Sequence, residues 1–206
     1  MKWLMLPAVF LVSLNLWAAD LDTDLLDIQT RWAKIQYQTP EDKREKAFEK
    51  LSAETEAFVS QYPGRAEPLI WQGIVLSTYA GAKGGLGALG LVKQARKSLE
   101  KAVEIDPNAL DGSALTSLGS LYYQVPGWPL SFGDDDKAKK YLQRALTLNP
   151  EGIDANFFFG DYLLEQGEND RAKVYLSKVL EVPGRPGRAL ADEGRRREAK
   201  QRLENL

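Results

Sequence analysis

The chain of 206 residues contains no histidine and no cysteine. Without imidazole or thiol there is no Ser-His-Asp or Cys-His nucleophile, no thiolate or imidazole zinc site, no histidine-ligated haem and no disulfide framework. An enzyme made from this chain would have to work with Asp, Glu, Lys, Tyr or Ser. An excess of one charge is missing too. There are 27 Lys and Arg against 29 Asp and Glu, a formal net charge of −2, so the basic surplus typical of a nucleic-acid binder is absent. Hydrophobic residues make up 44% and charged residues 27%, a balance that supports a packed core and excludes a disordered chain. These absences lean toward a binding or scaffolding protein rather than an enzyme. They point to no cofactor, no metal and no nucleic-acid partner.

Long apolar runs are also lacking, with one exception at the start. Met1-Lys2 is followed by an apolar stretch from Trp3 to Trp17, broken only by Ser13 and Asn15, then by Ala18-Ala19 and the acidic Asp20. The pattern reads as a cleaved secretory leader over residues 1–19, because the run is shorter than the roughly 20 apolar residues of a membrane span. Cleavage after Ala18 and after Ala19 fit equally. No cysteine follows the leader, which excludes a lipoprotein anchor. The expectation is an exported mature chain with no membrane span, periplasmic if the source is a Gram-negative bacterium.

What the sequence does contain is a repeated pattern of small residues. Ala95-Leu99-Ala102-Pro107 and Ala138-Leu142-Ala145-Pro150 share one spacing, and Ala172-Leu176-Val179 repeats it with Pro183 one residue early. Each follows a segment carrying Gly and then an apolar or aromatic residue three later: Gly73-Leu76, Gly119-Tyr122 and Gly160-Leu163. Alanine and glycine at these steps let paired helices approach closely, and the prolines end the second helix. Ahead of the repeats, Leu21 to Gln38 carries apolar residues at Leu25, Leu26, Ile28, Trp32, Ile35 and Tyr37 and reads as a helix. Thr39-Pro40-Glu41-Asp42 then predicts a new helix capped by the Thr39 hydroxyl. Ala47, Leu51, Phe58 and Val59 make the next apolar stripe. After the breaker Val182-Pro-Gly-Arg-Pro-Gly187, residues 189–204 predict a very polar terminal helix. Gly194 weakens it, and Arg195-Arg196-Arg197, flanked by Glu193 and Glu198, reads as a solvated face rather than a basic patch.

The spacing resembles the tetratricopeptide repeat, a family of paired helices stacked into a solenoid. Ala102-Val-Glu-Ile-Asp-Pro107 and Ala145-Leu-Thr-Leu-Asn-Pro150 are its strongest stretches. The first copy departs from the family, with Gln72 one residue before its Gly and Trp71 out of the usual place. The resemblance implies an all-α, tetratricopeptide-like α-solenoid of about three to four helical hairpins with long intra-repeat loops and a C-terminal capping helix. Its parts are a degenerate N-terminal hairpin over residues 20–65, repeats over 66–183 and the capping helix over 184–206. It also implies a concave groove lined by the first helix of each hairpin. Carried over, the groove positions are Ile70, Ile74 and Thr78, then Thr116, Ser120 and Tyr123, then Phe157, Asp161 and Leu164. The Lys, Asn and Arg set that clamps a peptide carboxylate is absent from them. An extended peptide or a small apolar ligand fits better. Ile70, Ile74 and Phe157 could equally pack onto the N-terminal hairpin or the C-terminal helix.

Two insertions stand out. Gly160 precedes Ala172 by twelve residues, whereas Gly73 precedes Ala95 by 22 and Gly119 precedes Ala138 by 19. The added stretches are the glycine-rich residues 81–90 and the residues 124–135 around Trp128 and Phe132. Both fall at hairpin turns, so they are expected to project from one edge as a rim carrying Lys83, Gly85, Gly87, Trp128, Phe132 and Asp134. Gly85, Gly87 and Gly90 spell a literal G-x-G-x-x-G, but a helix rather than a strand precedes it, which removes the dinucleotide reading. Free N–H groups there, with Lys83 and Lys93 near, could bind an anion. Asp134-Asp135-Asp136 reads as helix-start acids rather than a cation site. Trp128 and Phe132 are expected to pin their loop or to offer a binding surface. With the leader, the insertions and stretches such as Gly119-Ser-Leu-Tyr-Tyr-Gln124 and Phe132-Gly-Asp134 also resemble, more loosely, the T-component family of TRAP transporters. That likeness implies an exported helical accessory to a substrate-binding protein, with a small-ligand site. The absent lipoprotein cysteine departs from it. A carboxylate pair such as Asp154 and Asp161, one helix face apart at i and i+7, would be the enzymatic minimum, and the function expected is instead an exported interaction scaffold for another exported protein or peptide.

Overall fold

The structure, a computed structural model, describes the backbone from Phe10 and side chains from Asp20 to the C-terminus. The leader expected over residues 1–19 lies outside the residues whose side chains are described. Four helical hairpins follow one another: α1 (Phe10–Gln38) with α2 (Glu41–Gln61), α3 (Ala66–Lys83) with α4 (Ala88–Ile105), α5 (Ala109–Gln124) with α6 (Asp135–Leu148), and α7 (Ile153–Glu165) with α8 (Asn169–Glu181). A ninth helix, α9 (Ala189–Glu204), completes an all-α, tetratricopeptide-like solenoid. Among the described residues no helix is long and apolar enough to cross a membrane.

The glycine, alanine and leucine spacing builds the hairpins. A Cβ placed on Gly73 would lie 2.4 Å from Leu99 Cγ, one on Gly119 2.5 Å from Leu142 Cγ, and one on Gly160 2.8 Å from Leu176 Cγ. Each first helix therefore seats the leucine of its partner against bare backbone. Those leucines and Ala95, Ala138 and Ala172 are fully buried, each leucine contributing roughly 1.5–3 kcal/mol of transfer free energy. The second helices stop before Pro107, Pro150 and Pro183, where the residue preceding each proline is steered out of the helical region. Asp106 and Val182 are extended, at φ −153° and −65° with ψ 104° and 147°.

Three features differ from the expectations. Thr39 does not cap α2; its hydroxyl donates to the Lys34 carbonyl and closes the end of α1 instead. The glycine-rich stretch is mostly helix: α3 runs on to Lys83 and α4 starts at Ala88, leaving a turn at 84–87 with Gly84 and Gly85 at φ 66° and 57°. Alanines and leucines outnumber the breakers at both helix ends, so Gly81 and Gly90 are carried within helices and only Gly84 and Gly85 turn left-handed. Gly194 does not interrupt α9. A Cβ there would lie 2.4 Å from the Tyr37 ring, so the missing side chain is what admits α1.

That last contact sets the overall architecture. The inner helices pack in sequence, α1 on α3, α3 on α5, α5 on α7 and α7 on α9, and α9 then returns to α1. Leu26 meets Gly187 at one end of this seam and Tyr37 meets Gly194 and Arg197 at the other. The concave face is thereby closed into a ring, with α2, α4, α6 and α8 on the outside. At the start of α5, Leu110, Asp111 and Gly112 take left-handed dihedrals, at φ 48°, 56° and 76°.

Candidate functional site

Inside the ring lies a cavity of about 690 Å³, lined by α1, the N-terminal part of α2, α3, α5, α7, α9 and the segment just before α9. Trp32 of α1 and Trp71 of α3 meet edge to face, their ring centroids 5.9 Å apart. The Trp32 Nε1–H donates to Thr78 Oγ1 at 2.9 Å, and Thr78 in turn donates to the Ile74 carbonyl. Ser113, Thr116 and Ser120 of α5 donate to carbonyls of their own segment, so these hydroxyls present lone pairs inward. The α7 side of the cavity carries Asp154, Phe157, Phe158 and Asp161.

The carboxylates on this side are met by arginines. Arg195, only 11% exposed, donates to Asp154 at 2.9 Å and to Glu198 at 2.6 Å, and its guanidinium lies 4.5 Å and 4.6 Å from the Phe157 and Phe158 rings. The expected solvated face over 195–197 is corrected here. Arg195 faces the interior, and Arg196 donates to the Val182 carbonyl at 2.8 Å. Arg185 bridges Asp154 at 2.7 Å and the fully buried Asp192 at 2.5 Å. Arg202 holds Asp161 at 2.7 Å, and Tyr123 donates its hydroxyl to the same carboxylate at 2.8 Å. The i, i+7 acids of α7 thus meet Arg195 and Arg202, also i, i+7 on α9. Burial pushes the Asp154 carboxyl up, but Arg185 and Arg195 overcome it and hold it well below the usual carboxylate range. A carboxyl so held is no general acid. Burial, with Asp161 alongside, raises the Tyr123 phenol well above its ordinary value.

Arg188, which the sequence did not single out, is different from these. Its guanidinium sits 4.9 Å from the Trp71 ring and lines the cavity, and its Nε is buried without an acceptor. Burial, with the charge of Arg185 beside it, lowers its pKa to about 10. Nothing in the repeat spacing marks it; the only hint is an arginine beside Gly187 in the breaker.

Of the expected groove residues, Ile74, Thr78, Thr116, Ser120, Phe157 and Asp161 line the cavity. Ile70 is fully buried in the core. Tyr123 and Leu164 stand beside the cavity rather than on its wall, Tyr123 reaching it through Asp161. The rim residues divide. Lys83 is held by Glu45 at 3.0 Å, and Gly87 precedes the first residue of α4 with Gly85 in the turn before it. Asp134 caps α6, accepting from the Lys137 N–H at 3.0 Å, and pairs with the Lys137 ammonium at 3.2 Å. Phe132 is pinned between Tyr122, 5.4 Å away edge to face, and the Arg96 guanidinium at 4.4 Å. Gly133 is required beside it, since a Cβ would lie 1.9 Å from the Val125 carbonyl oxygen. Trp128 pins nothing and is 90% exposed, with Leu130 at 60% and Leu86 of the first turn at 81%.

A family model for the tetratricopeptide repeat matches residues 86–109 and 130–151, which contain α4 and α6 with their closing prolines. No curated protein matches the chain. Among solved structures, one titled "Crystal structure of MamA" aligns at 25% identity over 82% of this chain and 92% of that chain, with a TM-score of 0.46.

Proposed function

We propose that the protein is an exported scaffold, periplasmic in a Gram-negative cell, that holds another exported protein or peptide through its hairpin-turn edge and inner groove. The observation that carries this reading is Trp128. A 90% exposed tryptophan on a loop fixed by Phe132, Gly133 and Asp134 is a preorganised aromatic anchor, the residue type most enriched where binding energy concentrates. Leu130 and Leu86 add apolar surface on turns of adjacent hairpins. Export is supported by the leader pattern of residues 1–19. Intact mass of the exported form should give a first residue of Ala19 or Asp20.

The test is capture from periplasmic extract. Trp128→Ala should lose roughly tenfold or more in affinity for the captured protein while its Tm stays within about 1 °C of wild type. Unchanged affinity would remove the loop edge from the interface. A second reading, a small-ligand-binding accessory of a TRAP-type transporter, is favoured by one feature: the cavity of about 690 Å³ falls within the size range of small-molecule sites.

A further inference from the structure

Four arginines from residues 185–202 reach the cavity: Arg185, Arg188, Arg195 and Arg202. Three of them hold carboxylates. Arg185 is shared between Asp154 and Asp192, Arg195 between Asp154 and Glu198, and Arg202 holds Asp161. Arg188 holds none. Its guanidinium rests on the Trp71 face, and its Nε is buried with no acceptor. A buried guanidinium nitrogen with no acceptor is an unfavourable arrangement in a folded protein, and one that a bound anion would relieve. The direction of its acidity agrees, since burial and Arg185 make the charged form less favourable than in water.

We propose that the cavity binds a small organic monoanion, its oxyanion head on the Arg188 guanidinium and its apolar body against Trp71, Ile74 and Phe157. The head goes to Arg188 because it is the arginine of this cluster without a carboxylate, while Ser113, Thr116 and Ser120 spend their protons on backbone carbonyls. A guanidinium fork accepts a planar oxyanion with two parallel hydrogen bonds. One negative charge suits the site better than two, because Asp154, Asp161 and Glu198 line the same cavity. Carboxylate and sulfonate heads share this chemistry; a phosphate monoester, doubly charged at neutral pH, does not. Arg188 lies at the entry to α9, outside every repeat. The site therefore belongs to the ring closure and deepens the small-ligand reading of the cavity.

Titration calorimetry on the full chain tests it with indole-3-acetate, naphthalene-1-sulfonate, phenyl phosphate and the neutral indole-3-acetamide. The expected result is saturable binding of the first two, with the acetamide and the phosphate weaker by roughly tenfold or more. Arg188→Gln should bring indole-3-acetate down to the acetamide's level, and Arg188→Lys should keep part of the difference, with circular dichroism showing both variants helical. If acetate and acetamide bind wild type equally, or neither acid binds at millimolar concentration, the proposal is overturned. Acid binding that survives in Arg188→Gln overturns it as well. Should Arg188→Gln fail to fold, the acetate and acetamide comparison on wild type still decides. Partner capture through Trp128 is untouched by Arg188→Gln, so failure here and failure of the scaffold reading are separate results.

Discussion

Two kinds of seam hold this molecule together, and they are made from opposite materials. Between the helices of a hairpin the contact is a glycine facing a leucine, as at Gly119 and Leu142, dry and fully buried. Between the last helix and the others the contact is ionic and aromatic: Arg195 with Asp154 and Glu198, Arg185 with Asp154 and Asp192, Arg202 with Asp161, and Tyr37 over Gly194. An apolar seam tolerates any neighbour of the right shape, so it can be copied from hairpin to hairpin. An ion-paired seam is satisfied by one partner in one register, and removing either side strands a charge. The repeats are held by the first kind of contact. The ring is closed by the second.

The largest expected effect falls on the closure. Arg195→Met leaves Glu198 unpaired and half of Asp154 unmet, and should cost about 3 kcal/mol. Hydrogen exchange should quicken in α9 and α1 and leave α5 and α6 protected. Uniform quickening would mean that the two seams are not separable.

Gly119→Ala probes the other seam. In a free helix the change would gain stability, but here the methyl meets Leu142 Cγ and Cδ2 at 2.5 Å and 2.7 Å. A net loss of about 2 kcal/mol is expected in denaturant melts. A gain would show that α5 and α6 can part without penalty.

The smallest effect sharpens the contrast through pH. Asp154 has its folded pKa held below the ordinary value, so its stabilising contribution is present above about pH 4 and is lost as pH falls below that. Because the carboxylate is partly exposed, at 31%, about 1 kcal/mol should disappear between pH 4 and pH 2. The stability curves of wild type and Asp154→Asn should converge over that interval. Parallel curves would mean that Asp154 is not what the α9 arginines respond to. The Gly119 contact with Leu142 involves no carboxylate and should contribute nothing to the acid limb.

The same division explains what could be read from the sequence. The hairpins were legible because their contacts recur: Gly73, Gly119 and Gly160 announce themselves by spacing to Ala95, Ala138 and Ala172. The closure was not, because Tyr37 and Gly194 are far apart in the chain and meet only once. Arg195 looked solvent-facing for the same reason, since its partner Asp154 lies two helices upstream with nothing periodic to link them. Part of the cavity wall, Ile74, Thr78, Thr116, Ser120, Phe157 and Asp161, followed from the repeat register. Arg188 and Trp32 joined it from the segments at either end, which no repeat rule places, and Trp71 from α3 at a position outside the expected groove columns. The glycines of residues 81–90 misled in the other direction, suggesting a long loop where neighbouring alanines and leucines carry the helices almost to the turn.

The return of α9 to α1 also changes how the molecule should come apart. In an open solenoid each unit touches only its neighbours, so stability is nearly a sum over units, and ends can fray or units be added one at a time. Here the first and last units are neighbours too. No unit is terminal, and losing any one leaves the rest without their closing contact. Melting should therefore be one transition with a denaturant slope set by the whole chain, and the number of hairpins is fixed at four. A fifth hairpin spliced between α6 and α7 would carry α9 past Tyr37 and leave its arginines without carboxylates.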